Sequence, residues 1–299
     1  MSKRMRSRLP TRSTSSARHR CSMQGRSAAR LGPLLLLLLL PVAWGEGPSP
    51  PRAGAGRELQ VSSRLAGQAA RVALHYLNYR LGSPSALRLL GQVRKATLKT
   101  IPGIGHKYYL QFTTEDYKIS QNVGTCLATV LYLKRKPRPA VNINCTSTKD
   151  QKQIQEDDLS FYKKMKQQTK PIIGNDIPDS YGNIEPAFEP VWALAIAGSS
   201  YVMWEKSTEN LGYFMAQVKH VKQWITKDDA VDFDYSVVLH EIPTQEMISC
   251  HIRIIWTPGH PLRVKYFCLS ENQWLESGEG SGTETGSTSG IFNEREANF

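Results

Sequence analysis

The chain has 299 residues, enough for one large domain or two modest ones, and a hydrophobic content of 40% that is ordinary for a globular protein. Its formal charge of +12 suggests a nucleic-acid partner until the charge is located. Nine of the 38 Lys and Arg lie in residues 1–45 with no acid among them, so the rest is nearly balanced and nucleic acid is not the expected partner.

The basic leader ends in "LGPLLLLLLLPVAWG", Leu31 to Gly45, which marks entry into the secretory pathway. Ala43 and Gly45 suit a signal peptidase cutting after Gly45. The other reading is an uncleaved, single-pass signal-anchor holding the membrane through residues 31–45. Its core is short beside the ~20 residues a span needs, but the basic flank would keep the N-terminus in the cytosol. Both readings send the folded part to the lumen or the cell exterior. Residues 46–60, rich in Gly, Pro and Arg, read as a flexible tether.

Ala69, Val72, Ala73 and Tyr76 recur at helical spacing and predict a helix near 61–80, stopped by Gly82-Ser83-Pro84. In "HKYYLQFT", Tyr108, Leu110 and Phe112 then alternate as a strand does. The first unit, 61–150, reads as a helix followed by about four antiparallel strands. "QEDDLSFYKKMKQQTKP" predicts a connecting helix within 151–172. Glu156, Asp157 and Asp158 would start it, Lys163, Lys164 and Lys166 would end it, and Leu159, Tyr162 and Met165 would form its stripe. The second unit, 173–270, repeats the order. "VWALAIAGSSYVMW" is apolar almost all round and predicts a deeply buried helix. In "VDFDYSVVLH", Val231, Phe233, Tyr235, Val237 and Leu239 face one way, and Asp232, Asp234 and Ser236 the other. The Gly/Ser/Glu-rich stretch 271–299 predicts a disordered tail, in which Ser277 and Ser281 are candidate O-glycan acceptors.

Cys21 lies in the leader, leaving four cysteines in two cassettes: "CLATVLYLKRKPRPAVNINC" and "CHIRIIWTPGHPLRVKYFC". Four cysteines permit three pairings, and the repeat selects Cys126–Cys145 with Cys250–Cys268. Gln92-Val93-Arg94 matches Gln217-Val218-Lys219, and the Gln lies 34 residues before the first Cys in one copy and 33 in the other. One unit has been duplicated. A hairpin centred near Pro258-Gly259 sets Cys250 opposite Cys268, and closing such a loop is worth ~3 kcal/mol. Asn144-Cys145-Thr146 is a glycosylation sequon, with Asn144 the acceptor.

Catalytic motifs fail on inspection. His240-Glu241 begins like a zinc-protease motif, but Thr244 stands where the second His belongs. "GIGHK" lacks the glycines of a phosphate loop, and no Gly-x-Ser-x-Gly elbow occurs. His75, His106, His220, His251 and His260, scattered over strands and turns, read as structural or surface residues. The chain is expected to be non-enzymatic, with no cofactor and no metal.

A helix wrapped by a curved antiparallel sheet, present twice and joined by a helix, resembles two tandem cystatin-like subdomains of the α+β class. "RVALHYLNYRLGSPSALRLLGQVRKA", "IPGIGHKYYLQF", "IPDSYGNIEP" and "DDAVDFDYSVVLHEIPTQEMI" are similar to the latexin family, from about 60 to 270. The paired cysteines, basic leader and acidic tail resemble one branch of that family rather than latexin itself. The resemblance implies a non-enzymatic inhibitor that caps the active-site funnel of an A-type metallocarboxypeptidase or a related enzyme. It would use the seam of the subdomains, the joining helix and a hairpin of the second subdomain. The hairpin's His and Gln match His240 and Gln245, with Thr244 beside them. Where latexin has Asn-Ile-Ala-Ser, this chain has Glu241-Ile242-Pro243-Thr244, which adds a charge and stiffens the loop. "QVRKA" and "QVKHV" lack the Gln-x-Val-x-Gly loop of cysteine-protease inhibitors. The alternative is a membrane-tethered interaction module regulating adhesion or proliferation, without a protease target.

Overall fold

The computed structural model describes residues 56–135 and 138–270. The leader, most of the tether, and the tail with Ser277 and Ser281 lie outside the described residues. The elements run β1 (Arg57–Glu58), α1 (Arg64–Leu81), β2 (Arg88–Ile101), β3 (Gly105–Asp116), β4 (Asn122–Leu133) and β5 (Ala140–Cys145). After α2 (Gln151–Lys166) come β6 (Ile173–Ile177), α3 (Glu189–Lys206), β7 (Gly212–Trp224), β8 (Val231–Ile242), β9 (Met247–Trp256) and β10 (Arg263–Ser270). The strands form two antiparallel sheets, ordered β1-β2-β3-β4-β5 and β10-β9-β8-β7-β6. Each packs on one long helix, α1 or α3, so the fold is α+β with two tandem cystatin-like subdomains.

Helix α1 starts where the Ser63 side chain accepts from the Ala66 N–H, and stops at Gly82 in the left-handed region. Ala66, Ala69, Ala70 and Ala73 are fully buried, and their small side chains let the sheet wrap closely. Helix α3 is buried nearly all round because it serves two partners, its own sheet and α1. Aromatic rings join the helices: Tyr76 meets Trp204 and Tyr79 meets Tyr201, each pair 4.9 Å between centroids. The Trp204 indole donates to the Pro139 carbonyl at 3.0 Å, tying α3 back to the first sheet's last connection.

Each sheet has a fifth strand that the pattern did not reveal. β1 comes from the end of the stretch read as tether, where Arg57 and Glu58 pair with Leu98 and Thr97. β6 is the short IGNDI, on the other side of β7 from β8. Two residues cannot show a period, and Gly, Asn and Asp mask the second. The joining helix also differs in phase. Its buried face is Ile154, Asp158, Phe161 and Met165, whereas Leu159 is 43% exposed. Asp158 belongs to that stripe because its carboxylate accepts from the Ser85 N–H at 3.1 Å, and a buried acid hid the stripe's register. The helix begins at Gln151, five residues before Glu156, with Asp150 as its cap.

Cys126 pairs directly with Cys145, and Cys250 with Cys268, in the strand register. Both bridges are formed, across Cα separations of 4.1 and 4.0 Å. Among the described residues no helix is long and apolar enough to cross a membrane.

The duplication extends to a turn. Between β3 and β4 the Asp116 N–H donates to Gln121 O and the Ser120 N–H to Asp116 O, with Ser120 at φ 50°. Between β8 and β9 the Glu241 N–H donates to Glu246 O and the Gln245 N–H to Glu241 O, with Gln245 at φ 66°. A buried acid opens each turn. Burial alone would raise the Asp116 carboxyl, but Lys149 and the N–H groups of Lys118 and Ile119 bring it below its ordinary value.

Candidate functional site

The β8–β9 turn carries the sequence-derived candidates. Residues 243–246 are exposed, and the chain enters them through a cis Ile242–Pro243 bond. Glu241 does not add charge to the tip. It is 8% exposed and turned inward, and both of its oxygens are occupied. Oε2 accepts from the Tyr213 hydroxyl at 2.6 Å, and Oε1 from the Thr244 hydroxyl at 2.7 Å. The Thr244 oxygen in turn accepts from the Glu246 N–H at 3.3 Å. Thr244 therefore braces the turn from within, while Pro243, Gln245 and Glu246 are exposed around it. Burial, then the bond to Glu241, raises the Tyr213 pKa, so the phenol stays a donor.

His240 stands one residue before this brace, half-buried, with its ring 4.7 Å from Phe214 in an edge-on contact. It pairs with Phe214 on β7 and with Met247 on β9. The imidazole Nδ1 is buried and has no hydrogen-bond partner among the described residues. His240, exposed Phe214 and exposed Met247 thus form one apolar shelf beside the turn. Thr244 and Gln245 belong to the same hairpin, where Gln245 takes the left-handed backbone conformation at φ 66°.

The seam approaches the hairpin through a polar stripe on α1, which sequence reasoning missed. Arg64 donates to Asn210 O at 3.1 Å, Gln68 to Leu211 O at 2.6 Å, and the His75 Nε2 lies 3.0 Å from Tyr213 O. Gly212 leaves room for this contact, since a Cβ there would lie 2.1 Å from the Gln68 side chain. Nearby, Glu209 accepts from Tyr108 and bonds His106 at 2.8 Å, which ties the first sheet to the segment entering β7. These partners lie more than 100 residues apart in sequence, so no local signal announces them.

His75 lies on a helix, not on a strand or turn, and burial holds its pKa down at about 4. The unfolded imidazole titrates near 6.5, so the unfolded chain binds the extra proton between those values. The stability this group contributes is full above about pH 6.5 and is lost as pH falls towards 4. Urea melts across that window are expected to flatten in His75→Gln. An unchanged slope would assign the acid sensitivity elsewhere.

The joining helix meets the other end of the second sheet. The Tyr162 hydroxyl donates to Asp229 O at 2.7 Å, and Lys166 donates to the carbonyls of Thr226, Asp228 and Ala230. The 12 residues of β8 run between this turn and the hairpin, a distance of roughly 36 Å at ~3.3 Å per residue. The hairpin lies towards one end of the seam, and α2 packs at the other end, where Phe161 and Tyr162 meet Trp256, whose indole donates to Gly82 O at 2.7 Å.

Asn144 is exposed on β5 and stands directly opposite Leu127, itself 60% exposed. Among the described residues no group of three or more His, Cys, Asp or Glu could hold a metal ion.

The latexin family model matches residues 59–274. The chain belongs to the latexin family. Among individual relatives, Ovocalyxin-32 of Gallus gallus is 49% identical over 278 residues, covering 93% of this chain and 100% of that protein. Retinoic acid receptor responder protein 1 of Homo sapiens is 46% identical over 234 residues, covering 76% and 79%. Latexin of Mus musculus is 36% identical over 210 residues, covering 70% and 95%.

Proposed function

We propose that this chain is a non-enzymatic inhibitor of a metallocarboxypeptidase of the A type or a related enzyme, capping its active-site funnel with the hairpin of His240, Thr244 and Gln245. One observation carries the reading: the turn is held from inside by the two hydrogen-bonded oxygens of Glu241, so its exposed residues are ordered before any partner arrives. A preformed loop loses little conformational entropy on docking. The apolar shelf of Phe214, His240 and Met247 gives that loop a flank to bury. Membership of the latexin family supports the target class.

The folded part works outside the reducing cell interior, where two disulfides persist. Residues 31–45 are its export signal, removed or kept as a membrane anchor. Asn144 carries an N-linked glycan that covers exposed Leu127. Treatment of the exported protein with peptide-N-glycosidase is expected to lower its mass, and an unchanged mass removes the glycan.

Inhibition is tested with the exported protein against a carboxypeptidase A-type enzyme. Slowed hydrolysis is expected, relieved together by His240→Ala and Gln245→Ala. Truncating one interfacial hot-spot residue costs ~2 kcal/mol or more, so the pair should weaken inhibition well beyond tenfold. No slowing at micromolar protein would overturn the reading in favour of an interaction module that regulates adhesion or proliferation.

A further inference from the structure

The outer face of the second sheet, turned away from α3, holds a groove of ≈ 620 Å³. Strand register sets its floor in two rows. One runs Lys222, Asp234, Arg253, Lys265 across β7, β8, β9 and β10. The other runs His220, Ser236, His251, Phe267 over the same strands. The row spans three inter-strand gaps, about 14 Å.

The duplicated first sheet is an internal control for what a solvated outer face requires. There the row matching the charged one is Thr97, Tyr109, Thr129, Asn142, which is neutral throughout. The position matching Phe267 is Asn144, each lying one residue before the second cysteine of its cassette. The same architecture therefore needs no ions at these places. The second copy has put three cations around one carboxylate there.

Asp234, within that row, and Asp232, two residues before it on β8, are both hydrogen-bonded. Asp232 takes a bidentate pair of bonds from Arg253, at 3.1 and 2.7 Å. Asp234 accepts from the Trp224 indole at 2.5 Å. The Lys222 ammonium lies 4.6 Å from the centre of the Trp224 ring, over its face, which fixes that cation at the edge of the groove. In the second row His251 stacks on Phe267, centroids 4.7 Å apart and planes 18° apart, and its Nδ1 lies 3.1 Å from Ser236 Oγ. The groove thus offers flat carbon surfaces beside a row of cations.

We propose that this groove binds a sulfated glycosaminoglycan chain. Sulfate and carboxylate groups would meet Lys222, Arg253 and Lys265, and sugar ring faces would lie on the stacked His251 and Phe267. Charge complementarity selects an anion. The flat aromatic pair selects a ligand with apolar ring faces over a bare ion, and the disulfides place the groove where such polymers occur. The groove shares the outer face of β8 with His240, which lies four residues beyond Ser236, about 13 Å along the strand.

The probe is heparin, with the exported full-length protein and a salt series. Lys222→Gln with Lys265→Gln is expected to reduce heparin affinity roughly tenfold and to shrink the slope of log affinity against log salt by about two. Phe267→Ala should weaken binding without altering the slope. Lys95→Gln with Lys99→Gln, on the first sheet's outer face, should leave affinity unchanged, and circular dichroism checks folding of every variant. Equal losses from both lysine pairs would mean diffuse charge and overturn the site. Retention on polyglutamate as strong as on heparin would overturn the saccharide. No retention of the wild-type protein would overturn both.

Discussion

Replacing Glu241 by alanine is expected to weaken carboxypeptidase inhibition at least tenfold while the sheets stay folded. Two hydrogen bonds to the carboxylate disappear, from Tyr213 and from Thr244, and bonds to a charged group are worth ~1.5–3 kcal/mol each. The loss falls on the turn, which then samples conformations it must abandon on docking. A tenfold change in affinity needs only about 1.4 kcal/mol. Tyr213→Phe removes one of the two bonds and should give a smaller loss. The single Glu241→Ala change also strands the buried Tyr213 hydroxyl, so part of its effect is on stability. The pair Glu241→Leu with Tyr213→Phe removes both polar partners, restoring the melting temperature but not inhibition. Inhibition constants measured beside thermal melts separate these effects. Wild-type inhibition by the doubly substituted protein would show that the brace is irrelevant to docking.

The second large effect is on stability. Changing Cys250 and Cys268 to alanine opens an 18-residue separation, at a cost of ~3 kcal/mol in the chain-entropy account. For a fold of this size that lowers the melting temperature by about 6–12 °C. β10 gains most from the bridge, being an edge strand that among the described residues has β9 as its one sheet neighbour. Hydrogen exchange should therefore accelerate first along β10. Exchange that quickens evenly over both sheets would mean that the bridge holds the whole molecule rather than one edge. Cys126 and Cys145 close the matching edge of the first sheet, so their loss should act on β5 in the same way.

These two effects rest on different kinds of information. The bridges were legible in the chain because a hairpin of alternating residues sets its open ends opposite each other, and the cassette occurs twice. The buried face of β8 was legible for the same reason: Val231, Phe233, Tyr235, Val237 and Leu239 are all buried in the described fold. Strand period two and helix period 3.6 are local properties, written in neighbouring residues. The stripe of α2 escaped because one of its members is an acid. Asp158 is acceptable there only because Ser85, 73 residues earlier, donates a hydrogen bond to it.

The hairpin shows the same division at a candidate site. His240, Thr244 and Gln245 could be named from the sequence through family resemblance, and so could the departure at Glu241. The direction in which Glu241 points could not, because it depends on Tyr213, which lies on the neighbouring strand 28 residues away. Sequence alone determined the duplicated unit, its helices, its long strands and the chemistry of its cysteines, since each follows from spacing within a short window. Only the tertiary structure decided which carboxylates are buried, which Thr is a brace, and which sheet face carries a charged groove. Those are relations between distant segments, and their energies depend on burial and partners that no local pattern encodes.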